Sequence, residues 1–314
     1  MKKPNSGTIV LIVIISIIAV LIILGTSKGK SNESSSTVNQ AATYVNKQRS
    51  DYIAEIYLEG EITQKTKTYD QQWLLNTIRE LKNNAKNKAL VVFINSPGGS
   101  VYEADEVYLA LKDYRNAGKL VYVYQGAMAA SGGYYISCAA NKIYANRNTL
   151  TGSIGVIAGQ SIDVSELLAR YGIKAETIHA GKNKNMGSMT QPLTDEQRQI
   201  LQSVADECYD QFTEIVSLER NLKMDEVRKL SDGRIYTAKQ ALDLKLIDKI
   251  STHEEMLDDL KVEIQNQNCA VVPFKVPEEK SSIFDILSSL SSKASDSFEQ
   301  HGPPLHSKVG KGRA

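Results

Sequence analysis

Residues 126–135, GAMAASGGYY, set Ser131 between two alanines and two glycines at the mouth of an apolar run. A serine flanked this way can act as a nucleophile. Small neighbours let a carbonyl carbon approach the hydroxyl to about 3 Å, and Gly132 offers an unshielded backbone N–H to an oxyanion. The same residue types also suit a close helix packing contact. Upstream, residues 95–100, NSPGGS, form a turn whose Pro97 removes one donor while its glycines expose others. Gly98 can therefore line a carbonyl pocket, or the segment is simply a turn. Downstream, TGSIGV at 151–156 places Ser153 in a glycine-lined segment, where hydroxyls usually bond their own backbone.

A nucleophile of this kind needs a base. Of the four histidines, His301 and His306 fall in a low-complexity tail and His253 in a charged segment, so only His179 is a triad candidate. A lysine can serve instead where burial or another cation depresses its pKa, because the neutral amine is the competent form. Moving a lysine from about 10.4 to about 7.5 requires about 4 kcal/mol against the charged form. The polar loop GKNKNMGS at 181–188 supplies Lys182 and Lys184. Taken by itself, it reads as a solvated basic loop.

The elements that must position these groups alternate. Residues 52–58 and 89–95 read as strands around a helix at 73–81. A helix at 102–114, a strand at 120–124 and a helix from Ser131 follow. A short strand at 143–145, a helix ending at 167–172 and a strand at 175–179 carrying His179 complete the series. This order predicts an α/β fold, a mostly parallel sheet with covering helices, whose chemistry sits at the carboxyl ends of strands, where PGG and ASGG both fall. Thr194 opens a long helix with Gln197 as capping-box partner. Its stripe of Ile200, Leu201, Val204, Cys208, Phe212 and Ile215 suits a core or a subunit contact.

The chain of 314 residues is 42% hydrophobic, enough for one good core. Lys plus Arg total 37 against 36 acidic residues, which gives no charge argument for a nucleic-acid partner. Cys138, Cys208 and Cys269 stand apart without a CxxC or a histidine companion. They read as buried thiols, and neither a metal nor a cofactor is expected. Residues 8–25 form an uncharged apolar run about 27 Å long as a helix, close to a bilayer core. The run reads as an uncleaved transmembrane anchor, with residues 1–7 cytoplasmic and the following domain outside. Residues 26–49 read as a flexible linker, 50–272 as the folded domain, and 273–314 as a largely flexible tail with one apolar patch around Phe284.

INSPGGSVYEADEVY, GAMAASGGYYIS, TGSIGV, the GKNK loop and DGRIYTAKQALDLKLID, in this order, resemble bacterial signal peptide peptidase A in its short Gram-positive form. The resemblance covers about residues 52–250. It implies a Clp/crotonase-like fold and a serine endopeptidase with a Ser/Lys dyad, cleaving apolar peptides such as remnant signal peptides at the cell membrane. By the same resemblance Ser131 stands at the nucleophile, Lys184 at the general base and Ser153 at the hydroxyl that orients it. Gly98 and Gly132 stand at the backbone oxyanion hole. The family carries an aromatic residue or His before its lysine and Ser or Asp after it, whereas this chain has Asn183 and Asn185, which keeps Lys182 in competition. The resemblance further implies a homo-oligomer whose active sites are shared between protomers. The alternative is a non-catalytic membrane-tethered protein that binds peptides or partners on the same fold.

Overall fold

The computed structural model describes Thr43, Val45 and residues 47–277. The expected anchor at 8–25 and nearly all of the tail lie outside these residues. No helix among the described residues is long and apolar enough to cross a membrane. The chain divides into two units, Met1–Val276 and Pro277–Ala314, and the described strands and helices belong to the first.

Strand β1 (Tyr52–Glu59), helix α1 (Gln71–Asn83), β2 (Asn87–Ser96), α2 (Val101–Asn116) and β3 (Leu120–Ala130) follow one another as expected. Next come the short α3 (Gly132–Ser137), β4 (Lys142–Ala145), β5 (Leu150–Gly152) and α4 (Ser165–Arg170). The long α5 (Asp195–Arg220), then α6 (Met224–Leu230), β6 (Ile235–Thr237), α7 (Ala238–Asp243), β7 (Lys249–Ile250), α8 (His253–Glu263) and β8 (Ala270–Phe274) complete the unit. The strands form one sheet in the order β6-β5-β3-β2-β1-β8, with β4 beside β3 and β7 beside β4. Every pairing is parallel except β5 with β6.

Alternation along each strand explains the layers. Ile56, Leu58, Leu90, Val92, Ile94, Val121 and Val123 share one core with α1, α2 and α3, while Ile53, Val91, Tyr122 and Tyr144 pack with Met256 and Leu260 of α8. Both faces are covered, so the strands read as near-continuous apolar runs.

Strand β3 outruns its expected end at Tyr124 because it changes partner. Residues 122–125 pair with β4, and residues 128–130 pair with β5. Between them the register against β2 jumps from Ile94–Gln125 to Ser96–Ala129. This bulge interrupts the ladder with β2 where β3 exchanges β4 for β5. Asn95 Oδ1 accepts the Met128 N–H at 3.2 Å and so holds the bulge in place.

Three expectations are corrected. No strand forms at 175–179, since no neighbouring strand lies beside that segment to complete a ladder. Strand β8 runs to Phe274, past the expected boundary at 272. Pro273 is tolerated because β8 is an edge strand with a partner on one side only. The stretch assigned to the linker, residues 26–49, contains a docked residue. Val45 is fully buried in the core, and its carbonyl accepts from Asn84 Nδ2 at the C-terminus of α1.

Candidate active site

Ser131 is the hinge between β3 and α3. Its φ of 52° and ψ of −119° lie where a residue with a Cβ is strained. The surroundings impose that conformation. Its N–H donates to the Gly152 carbonyl at 2.8 Å, and its carbonyl accepts the Tyr135 N–H at 2.9 Å to begin α3. A sharp strand-to-helix turn of this kind lifts the side chain off the sheet, as nucleophile turns do.

Ser153 occupies the matching position on the next strand. Ala130 pairs with Gly152, so Ser131 and Ser153 leave adjacent strand ends at the same level, with strand axes about 4.8 Å apart. Ser153 also has a positive φ, 51°, and its N–H donates to the Arg234 carbonyl at 2.8 Å. The neighbouring threonines bond backbone as expected of such loops. Thr151 Oγ1 donates to Ala129 O, and Thr149 Oγ1 reaches Gln125 O and Gly126 O. Among the described residues the Ser131 and Ser153 hydroxyls have no hydrogen-bond partner, and both residues are half-buried.

The glycine turn is pressed against Ser131. A Cβ on Gly98 would stand 2.8 Å from Ser131 Cβ and from the Gly132 nitrogen, and one on Gly99 would stand 1.9 Å from the Ile62 carbonyl oxygen. Only glycine fits at either position. Ile62 clamps the turn from behind, its N–H donating to Gly98 O at 2.9 Å and its carbonyl accepting the Ser100 N–H at 2.8 Å. The Gly98 N–H is already engaged, donating to Ser96 Oγ at 3.1 Å. The Gly99 N–H has no acceptor among the described residues, and the Gly132 N–H, in the first turn of α3, has none within its helix. Gly99, Ile62 and Ser96 escaped the reading of the sequence. The doubled glycine was a signal for the first, but nothing local marks a clamp that comes from 36 residues upstream.

The lysines are elsewhere in the fold. Lys182 pairs with Glu196 on the first turn of α5, and Asn183 Nδ2 donates to the same carboxylate at 3.1 Å. Lys182 and Asn183 hold the Glu196 carboxyl below the usual range. Lys184 is exposed, its N–H donating to Gly181 O at 3.1 Å, and its ammonium has no partner among the described residues. The structure brings Ser131, Ser153, Gly98 and Gly132 together and does not join Lys182 or Lys184 to them within the chain. Nor does it bring His179, whose Nδ1 lies 3.1 Å from Gly181 O, to the serine. His253 lies under the opposite face of the sheet, 2.5 Å from the buried carboxylate of Glu55.

From residue 155 to residue 211 no residue is buried. Ile157 is 87% exposed and Ile178 95%, with Ile162, Leu167, Tyr171, Ile173 and Met189 also open to solvent. The segment therefore carries a run of apolar side chains that nothing in the described residues covers. Among the described residues no group of His, Cys, Asp and Glu side chains could hold a metal ion.

Comparison with known proteins identifies the family. The profile of peptidase family S49 matches residues 113–267, which include Ser131, Ser153 and both loop lysines. A protein of Enterococcus faecium named as a signal peptide peptidase SppA is 34% identical over 207 residues, 66% of this chain and 60% of that one. A protein of Synechocystis sp. named as a protease is 37% identical over 203 residues, 65% of this chain and 71% of its own length. Among solved structures, a ClpP1 mutant from Listeria monocytogenes is similar with a TM-score of 0.47 and 16% identity, over 69% of this chain and 99% of that one. On its sequence relatives, the chain belongs to peptidase family S49, in the group of signal peptide peptidase A.

Proposed function

We propose that this protein is a serine endopeptidase in which Ser131 attacks the scissile carbonyl and the amine of Lys184 from a neighbouring copy takes its proton. The observation that carries this reading is the strained Ser131 turn, with an unpartnered Ser153 hydroxyl on the adjacent strand end. Ser153 is placed to hold the incoming lysine beside Ser131. A lysine arriving from outside also accounts for an arm that buries nothing in its own chain, and makes the working particle a homo-oligomer with shared sites.

The reading implies the following steps. Ser131 Oγ bonds to the carbonyl carbon as its proton passes to the neutral lysine amine, and the carbonyl oxygen becomes an oxyanion. The N–H groups of Gly132 and Gly99 receive that charge, each donor worth about 3 kcal/mol. Gly99 takes the part expected of Gly98, whose N–H is committed to Ser96. Collapse of the intermediate returns the proton to the leaving amine and leaves Ser131 acylated, after which water, deprotonated by the same lysine, releases the acid.

The substrates are apolar peptides, remnant signal peptides being the class that the family resemblance suggests. The run at 8–25 anchors the enzyme in the cell membrane as a single pass, with the protease domain outside. No cofactor takes part. Incubating the full chain with a serine-directed phosphonylating reagent and mapping the adduct by mass spectrometry tests the nucleophile, with the label expected on Ser131. Lys184→Ala is expected to slow labelling far more than Lys182→Ala, whose parent side chain is held by Glu196. An adduct on another serine, or peptide cleavage by Ser131→Ala, defeats the reading.

A further inference from the structure

Tyr135, one turn below Ser131, joins three elements. Its hydroxyl donates to Asp105 Oδ1 on α2 at 2.6 Å and accepts from Gln211 Nε2 on α5 at 2.6 Å. Its ring lies 5.5 Å from that of Tyr108 and 4.9 Å from that of Phe212. Helix α5 first enters the core at Phe212, so Tyr135 meets it where the exposed arm joins the body.

Helix α3 does not depend on that hydroxyl. Tyr134 OH donates to Leu246 O at 2.9 Å, Ser137 Oγ to Gly133 O at 2.8 Å, and Arg115 to the carbonyls of Ala139 and Ala140 at 3.0 and 3.1 Å. Helix α5 has a second fastening at Glu219, whose 5% exposed side chain accepts from Tyr108 at 2.8 Å, Lys112 at 2.5 Å and Arg115 at 2.7 Å. Beyond Glu219, α5 is held by buried Phe212 and Val216 and by a half-exposed pair of Asp210 with Arg228 of α6 at 2.8 Å. An exposed pair of that kind contributes about 0–1 kcal/mol, so loss of the Gln211 bond leaves the arm N-terminal to Phe212 free to tilt about these contacts. From Gln211 to Glu196, which holds the lysine loop, α5 extends about 22 Å at 1.5 Å per residue. A tilt of about 5° over that length moves the far end by about 2 Å, and misplacing a catalytic group by 1 Å costs about 100-fold in rate.

We infer that Tyr135 is a positioning residue that sets the pitch of α5 on the body, and so fixes where Lys184 arrives on the neighbouring copy. This rests on the shared Ser/Lys site proposed above. A tilt of α5 leaves residues 98–100 and Ser131 in place, so peptide binding is spared.

The test uses the detergent-solubilised full chain. Tyr135→Phe keeps the ring packing and is expected to lower kcat by at least about 30-fold with KM changed less than about two-fold, at unchanged thermal midpoint and particle size. Asp105→Asn keeps an acceptor for the tyrosine hydroxyl and is expected to hold kcat within about three-fold. Co-expressed Ser131→Ala and Lys184→Ala chains then locate the effect. Tyr135→Phe on the Ser131→Ala chain, which supplies the arm, should reproduce the loss, and on the Lys184→Ala chain it should not. If the unmodified mixture regains activity but Tyr135→Phe keeps its kcat, loses stability in step with activity, or acts from the Lys184→Ala chain, the positioning role is overturned alone. A mixture with no activity overturns the shared site and this role with it.

Discussion

Around Ser131 every residue from Gly132 to Ala140 is buried, whereas across residues 155–211 none is, although both regions carry groups assigned to one reaction. The first region is finished within one chain, since its strained turn is held by β5, by α3 and by the glycine turn behind it. The second has secondary structure without a core of its own. Helix α5 has a complete capping box at Thr194 and Gln197, yet its first half covers nothing. Local signals suffice to start a helix, but only a packed face fixes where it stands. The contrast teaches that the fold of the chain fixes the surroundings of Ser131 and leaves those of the lysine loop open; under the proposed function, assembly would have to fix them.

The sharpest way to break the comparison is to charge the arm. Ile157→Asp combined with Ile178→Asp should give chains that sediment as monomers and lose at least about 100-fold in activity, because each unpaired charge buried at an interface costs about 3–5 kcal/mol. Chains that assemble and cleave like the parent would show that this face is never covered.

A smaller effect sharpens it. Leu90→Ala, at a fully buried position, should cost about 2–5 kcal/mol in urea unfolding of dissociated chains, while Ile178→Ala should stay within about 0.5 kcal/mol. Similar losses at the two sites would mean that the arm has a core of its own.

A third effect concerns alkali. Burial pushes the Tyr52 hydroxyl up to about 12 and raises Tyr114 and Tyr134 well above the ordinary value of 10. Between about pH 10 and 12 the unfolded chain releases protons that the body retains, so stability is complete below pH 10 and falls as pH rises. Each such tyrosine contributes about 1.4 kcal/mol per pH unit. Residues 155–211 contain no buried tyrosine, so the whole loss belongs to the body. A urea midpoint equal at pH 9 and pH 11 would contradict this.

Legibility in the sequence follows the same division. The βα alternation from Tyr52 to Ser131 could be read because each run buries against a neighbour close in sequence, and the periods of 2 and 3.6 record that burial. Ser131 and Ser153 stood out through their small neighbours, although nothing local indicated that they would leave adjacent strands in register. The segment at 175–179 has strand composition but no partner, and composition does not register a missing neighbour. That the Gly98 N–H is occupied by the Ser96 hydroxyl was not visible either, because it depends on how the turn folds back on itself. Family resemblance, not pattern, pointed to Lys184, which is exposed within the chain.

The docking of Val45 against the end of α1 sets a leash length. If residues 8–25 lie in the bilayer, the 20 residues from there to Val45 reach at most about 70 Å even when fully drawn out. On that condition Val45 stays within about 70 Å of the lipid, and the distance at which the domain could work from the membrane is bounded by that leash plus the domain's own span.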